Sequence, residues 1–204
     1  VTTPKTYLSM APVAEGEINL NRIKDQLVAR GYQEALTYTF VDPATQAILD
    51  PEQDPIGLAN PLSSEMSVMR TTLWSGLIKA LIHNVNRQQS RVRLFESGLR
   101  FRQSPNVSNL ELKDVRQEAM LAGVVLGPKM TELWSNSTEA IDFFDVKGDV
   151  ESIFQLAGPN AGLDFEKGQH PALHPGQTAK ITRSGKTVGY LGLMDPRVQK
   201  LLNI

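Results

Sequence analysis

"NPLSSEMSVMRTTLWSGLIKALIHNVNRQQSRVRLFESGLRF", residues 60–101, joins two unlike patterns end to end. In its first part Leu73, Trp74, Leu77, Ile78, Leu81, Ile82 and Val85 recur at three- and four-residue spacing, which marks one face of a helix. That spacing predicts the longest helical region of the chain over 63–88. The run "SRVRLFESGLRFRQ", 90–103, then turns to strand composition, with arginines between apolar residues. A helix laid against an arginine-bearing strand is the unit from which the rest is read.

Toward the N-terminus, "NRIKDQLVARGY" places Leu20, Ile23 and Leu27 on one helical face, with Asn19 or Asn21 as N-cap and Gly31 as stop. "QEALTYTFV", 33–41, alternates, with Leu36, Tyr38 and Phe40 on one side, and predicts a strand. Asp42-Pro43 caps a short helix over 43–49, and "IGLANPL", 56–62, reads as a short strand. Toward the C-terminus, a polar loop over 104–117 leads into "EAMLAGVVLG", a run of strand length expected to be central and covered on both faces. A long connection around Trp134 follows. "DVKGDVESIFQLAG" predicts a helix with Val146, Val150, Ile153 and Phe154 inward and Gly158 ending it. "LDFEKG", "TAKITRSG" and "KTVGYLGLM" are three further strands, the last two joined by a turn at Ser184-Gly185, and Asp195-Pro196 caps a final short helix. Strands with hairpin signals, interrupted by helices without regular alternation, predict an α+β fold with a mainly antiparallel sheet flanked by helices.

Composition narrows the function classes. A net charge of −1 argues against a surface built wholly for nucleic acid. The absence of cysteine excludes disulfides, thiolate metal sites and a cysteine nucleophile, and it suits a reducing cytoplasm. No apolar run approaches the ~20 residues that span a bilayer, so no membrane partner is expected. The chain begins without methionine and stops abruptly after "QKLLNI", which we read as a piece of a longer polypeptide. Residues 1–16 are expected to be a linker from a preceding module, and 17–204 a single domain.

Few residues carry chemistry by spacing alone. His170 and His174 stand four apart in "HPALHPG", but the prolines forbid the helix that would bring both to one face, so a rigid Pro/Gly loop with one histidine bonded locally is expected. His83 reads as structural. Asp142, Asp145, Asp149 and Glu151 crowd a helix start, where carboxylates cap and suit the dipole; no metal site is expected. No phosphate-binding glycine loop is present. Arg87, Arg91, Arg93, Arg100 and Arg102 form a cluster that reads first as outward strand arginines paired with acids such as Glu96, and secondly as RNA-contact candidates.

"RGYQEALTYTFVDP", "NPLSSEMSVMRTTLWSGLIKALIHNVNRQ", "RLFESGLRF", "FFDVKGDVE" and "HPGQTAKI…GYLGLMDP" occur in the order of the bacterial phenylalanyl-tRNA synthetase β-subunit family. The chain resembles the central region of that family, whose fold copies a class II aminoacyl-tRNA synthetase core. The resemblance implies a subunit of an (αβ)2 ligase that joins phenylalanine to tRNA(Phe) with ATP and Mg²⁺ in the cytoplasm. It implies that the α subunit holds the active site, that this domain is catalytically silent and binds no cofactor itself, and that its partners are α and the second αβ pair. Residues 18–40 would correspond to class II motif 1, a helix and strand used in association; 91–101 and 189–198 would stand where motifs 2 and 3 belong.

Departures from catalytic members support silence. Motif 2 presents an arginine followed two residues later by an acid; here Arg93 and Glu96 are three apart, and an odd offset on a strand points the two to opposite faces. "MRTTL" resembles an Arg-Thr-His-Thr segment of the catalytic subunit, but Thr72 stands where that histidine would be, and Pro196 precedes the arginine of motif 3, Arg197. The resemblance therefore assigns no catalytic residue. Arg70, Arg93 and Glu96 are the candidates for a residual nucleotide site. Ile18, Leu20, Ile23, Leu27, Trp74, Leu77, Ile78 and Leu81 are the candidates for packing against a partner.

Overall fold

The computed structural model describes residues 18–103, 115–136, 138–158 and 162–204; the linker expected over 1–16 and most of the loop expected over 104–117 lie outside these. Helix α1 (Leu20–Ala29) starts at Asn19, whose side chain accepts the Asn21 N–H at 2.9 Å. It stops at Gly31, where φ is +81°, a conformation that costs glycine nothing. Two short strands follow, β1 (Gln33–Glu34) and β2 (Phe40–Val41), in place of the continuous strand expected over 33–41. The alternation runs the opposite way to its apolar pattern. Thr37 turns inward to bond Glu96, and Leu36 and Tyr38 are left 85% and 73% exposed.

Helix α2 (Pro43–Leu49) is capped by Asp42, which accepts the Thr45 N–H at 2.9 Å, with Pro43 in the first turn. The helix expected over 63–88 forms only in its second half. Residues 64–66 make one 3₁₀ turn, Val68–Met69 form β3, and α3 spans Trp74–Val85. The physical reason is tertiary pairing. The Met69 N–H bonds Ile56 O, the Arg70 N–H bonds Thr39 O, and β3 pairs antiparallel with β2. Serines and threonines over 63–72 compete with helical hydrogen bonds and make that switch inexpensive. The strand expected over 56–62 contributes one bridge, Gly57 to Val68.

Strands β4 (Val92–Gln103) and β5 (Val115–Leu126) pair antiparallel from Val92 opposite Leu126 to Gln103 opposite Val115. β1 joins β4 in parallel, giving the order β1-β4-β5. The run expected to be the central strand is therefore the terminal one, and β4 is central, although the two faces of β5 do meet different core clusters. Helix α4 (Phe143–Gln155) opens with a capping box in which the Asp142 and Asp145 side chains each accept the other's backbone N–H. β6 (Asp164–Lys167), β7 (Leu173–Arg183) and β8 (Lys186–Met194) form a second antiparallel sheet. Ser184 and Gly185 turn the β7–β8 hairpin with φ of +50° and +74°, as a two-residue primed turn requires. Helix α5 (Pro196–Leu202) is capped by Asp195. Among the described strands only β1 with β4 is parallel, so the sheet content is mainly antiparallel as expected.

β4 divides the core. Val92 and Leu94 face α3 and join Leu49, Leu73, Leu77, Ile78 and Leu81, with Ala172 and Val198 of the C-terminal half closing the cluster. Phe95 faces the other way and joins Leu27 and Tyr32, with Ile23 and Ile153 beside them. Leu77, Ile78 and Leu81 are each no more than 3% exposed, and burial of each stabilises the fold by about 1.5–3 kcal/mol. The apolar stripe of α3 is thus consumed inside the chain.

Candidate functional site

The same alternation of β4 sorts its charged side chains. Glu96 shares the face of Val92 and Leu94 and meets Arg70, which follows β3. Arg70 Nη1 lies 2.7 Å from Glu96 Oε1, and both side chains are 3% exposed. The Thr37 hydroxyl donates to Glu96 Oε2 at 2.7 Å. Arg70 also donates through Nε to Leu99 O at 2.9 Å and through Nη1 to Thr37 Oγ1 at 3.0 Å. Two glycines make room for this knot. A Cβ on Gly76 would stand 2.0 Å from Thr37 Oγ1, and one on Gly98 would stand 2.4 Å from Arg70 Nη2. Arg70 and Glu96 therefore engage each other in a dry pocket, and neither presents a charge to a nucleotide phosphate.

Arg93, the third candidate for a residual nucleotide site, is not brought to them. It lies on the opposite face of β4, 8% exposed, 3.5 Å from Asp149 Oδ2 and over the Tyr32 ring at 5.5 Å. Asp149 also receives Arg30 Nη1 at 2.7 Å and the Tyr32 hydroxyl at 2.7 Å. Burial raises the Tyr32 phenol above its ordinary pKa, and its bond to Asp149 adds to the rise, so it remains a donor. This network fastens the end of α1 and the middle of α4 to β4.

The other arginines separate as well. Arg87 touches His83 on the exposed end of α3. Arg91 projects on the same face as Arg93. Arg100 bonds Glu118 at 2.6 Å, and this hydrogen bond is the main reason the Glu118 carboxyl is held below its usual range. Arg102 stands directly opposite Arg116 across the ladder. Arg197 is 82% exposed and folded back on Asp195 in a two-pronged ion pair. His170 and His174 each accept a nearby backbone N–H, from Ala172 and Gly176, at 3.2 and 3.0 Å. His170 also packs between Trp74 and Tyr190, and burial lowers its pKa.

Comparison with known proteins places this architecture. The family model described as the phenylalanyl tRNA synthetase beta chain CLM domain matches residues 1–204. The chain belongs to that family. It is similar to the phenylalanine–tRNA ligase beta subunits of Hahella chejuensis, at 48% identity, and Pseudomonas savastanoi, at 50%, each across the whole chain. In both cases it spans about a quarter of the relative's length. Among solved structures it is similar to PylSc of Desulfitobacterium hafniense, a pyrrolysyl tRNA synthetase, with a TM-score of 0.60 at 15% identity, covering 91% of this chain and 60% of that one. The fold is that of a class II synthetase core.

Within this beta-chain domain the apolar candidates fall into two groups. Leu27, Leu77, Ile78 and Leu81 are buried in its own core, and Ile18, Ile23 and Trp74 are half-buried. Leu20 is 46% exposed, and Val28, Leu36 and Tyr38, also within residues 18–40, are exposed as well. Leu36 and Tyr38 stand out in the strand pattern of 33–41, but a period-2 pattern does not tell which set faces inward. Thr37, Tyr32 and Asp149 carry the two polar networks, and no motif marks them. The one available signal for Thr37 is its place between two apolar residues in "LTYTF".

Proposed function

We propose that this chain is the catalytically silent class II core of a phenylalanine–tRNA ligase β subunit and that it scaffolds the catalytic α subunit of an (αβ)2 enzyme. That enzyme would attach phenylalanine to tRNA(Phe) in the cytoplasm, using ATP and Mg²⁺ bound elsewhere. The observation that carries the reading is the buried Arg70–Glu96 pair, closed by Thr37 and Leu99 O. With those groups engaged and Arg93 on the far face, the residues at hand do not fit a nucleotide. The scaffold role draws on the exposed Leu36 and Tyr38, because apolar side chains concentrated on an association segment mark an interface. A second role, contact with RNA phosphates, would draw on the Arg102 and Arg116 pair across the β4–β5 ladder, whose charges Glu118 already offsets in part.

Sedimentation of the chain alone and mixed with purified α subunit tests the scaffold. A joint species is expected, and it should be lost in Leu36→Asp/Tyr38→Asp, which changes exposed positions only. Separate sedimentation of the unmodified chain, or joint sedimentation of the double variant, would remove this face from the assembly. ATP should leave the melting temperature unchanged, since a ligand that binds the folded state raises it.

A further inference from the structure

A second concavity lies away from the Arg70–Glu96 knot, where the ends of α1 and α3 meet the start of β4. It is a cleft of about 100 Å³, the volume of roughly three water molecules, lined by Gly31, Gln33, Asn84, Gln89, Arg91 and Arg93 together with the β4 backbone. Its charge is unbalanced. Arg30, Arg91 and Arg93 gather here, and Asp149, the carboxylate in the network, pairs with Arg30 and Arg93. Among the described residues Arg91 has no ion pair. Arg91 and Arg93 both aim Nη2 at one neutral oxygen, Lys129 O, at 3.5 and 3.1 Å. Gly31 keeps the wall low, since a Cβ there would stand 3.4 Å from Arg91 Nη2.

We propose that this cleft seats a phosphate group, held by the Arg91 and Arg93 guanidiniums with amide donors from Gln33 and Gln89. The Arg91 and Arg93 guanidiniums, two residues apart and both directed at Lys129 O, each carry the forked N–H donors that suit an oxyanion. Holding them together is unfavourable, because the one carboxylate in the network, Asp149, serves Arg30 and Arg93 and not Arg91: burial, and after it the neighbouring Arg93, lower the Arg91 pKa from its ordinary value. The helix ends beside the cleft do not oppose an anion strongly, because their carbonyls are occupied. Leu27 O and Val28 O accept from Arg30, Tyr32 and Gly31, and Asn84 O and Val85 O accept from Arg87, Gln89 and Gln88. The amide lining adds donors without adding a carboxylate. The proposal does not depend on the silence of the Arg70–Glu96 site, which lies on the other face of β4.

The test is calorimetric titration of the chain with inorganic phosphate against chloride at matched ionic strength. Saturable phosphate binding is expected, weakened at least about tenfold in Arg91→Gln, the loss of one charge-assisted contact. Gln33→Glu changes an exposed side chain, spares the fold, and should weaken binding as strongly by placing a carboxylate in the cleft. Lys186→Gln, an exposed position on the β7–β8 hairpin, should bind phosphate unchanged. An RNA hairpin separates the sources. If RNA competes with phosphate and Arg91→Gln lowers its salt dependence by about one ion, the seat holds an RNA phosphodiester. If phosphate and pyrophosphate bind while RNA does not compete, the seat takes a free phosphate ligand. Absence of phosphate binding beyond chloride, or unchanged affinity in both Arg91→Gln and Gln33→Glu, overturns the proposal.

Discussion

Breaking the buried Arg70–Glu96 pair tests most directly the proposal that its charges are closed to a ligand. Both side chains are 3% exposed, so removing one leaves a charge in a place water does not reach. In Glu96→Ala, Arg70 retains Leu99 O and Thr37 Oγ1 as acceptors but no counter-charge. Loss of one partner from a buried pair costs about 3–5 kcal/mol. For a domain of this size that corresponds to a fall in melting temperature of about 6–20 °C. Arg70→Met alone should cost about as much, stranding the carboxylate with the Thr37 hydroxyl. The double variant Arg70→Met/Glu96→Leu replaces both with apolar groups of similar length, and leaves Thr37 and Leu99 O short of partners at about 1–3 kcal/mol. Urea unfolding followed by circular dichroism gives the four corners of the cycle. The double variant should be more stable than either single one. Single variants that cost under about 1 kcal/mol, or a double variant equal to their sum, would mean that the pair is hydrated and its charges are available to a ligand.

Three further outcomes follow from other parts of the molecule. Leu77 is fully buried between α3 and β4, so Leu77→Ala should lower unfolding free energy by about 2–5 kcal/mol with the helix intact, read by urea unfolding. Tyr32→Phe removes a hydrogen bond to the ionised Asp149 and should cost about 1.5–3 kcal/mol, while Arg30→Gln, at a more exposed position, costs less. Asp195 is held down to about 2 from its usual 3.8, chiefly by hydrogen bonds from Arg197. Its folded pKa is depressed, so its contribution is complete above about pH 4 and lost as pH falls toward 2. Thermal melts should show the stability gap between the chain and Asp195→Asn closing across that window.

The residues that were legible in the sequence are those whose local chemistry leaves one choice. Asp42-Pro43 and Asp195-Pro196 open helices as read, Gly31 stops one, and Ser184-Gly185 turns the β7–β8 hairpin, because each depends on backbone geometry within a few residues. The stripe from Leu73 to Val85 gave α3 its inward face, but its N-terminal limit was lost to pairing of β3 with β2, a contact about 28 residues away in sequence that periodicity does not encode. The even and odd faces of β4 were readable as a pair: the odd spacing from Arg93 to Glu96 implies opposite sides, and they are on opposite sides. What each side meets was not readable. Thr37 lies 59 residues from Glu96, and Asp149 lies 117 from Tyr32, so only the folded topology brings them together.

The alternation of β4 has a consequence for how such a domain could change. Arg93 holds α4 through Asp149 on one side of the strand, while Glu96 holds the β3 segment through Arg70 on the other. Inserting or deleting one residue between them would bring Arg93 and Glu96 to a common face. The same shift would turn one of them away from its present partner and drive an apolar neighbour into a polar pocket. No single substitution performs that exchange, and the single-step length change that does would unfasten a helix. The strand thus acts as a ratchet: its phase, once taken, is held by ties on both of its faces.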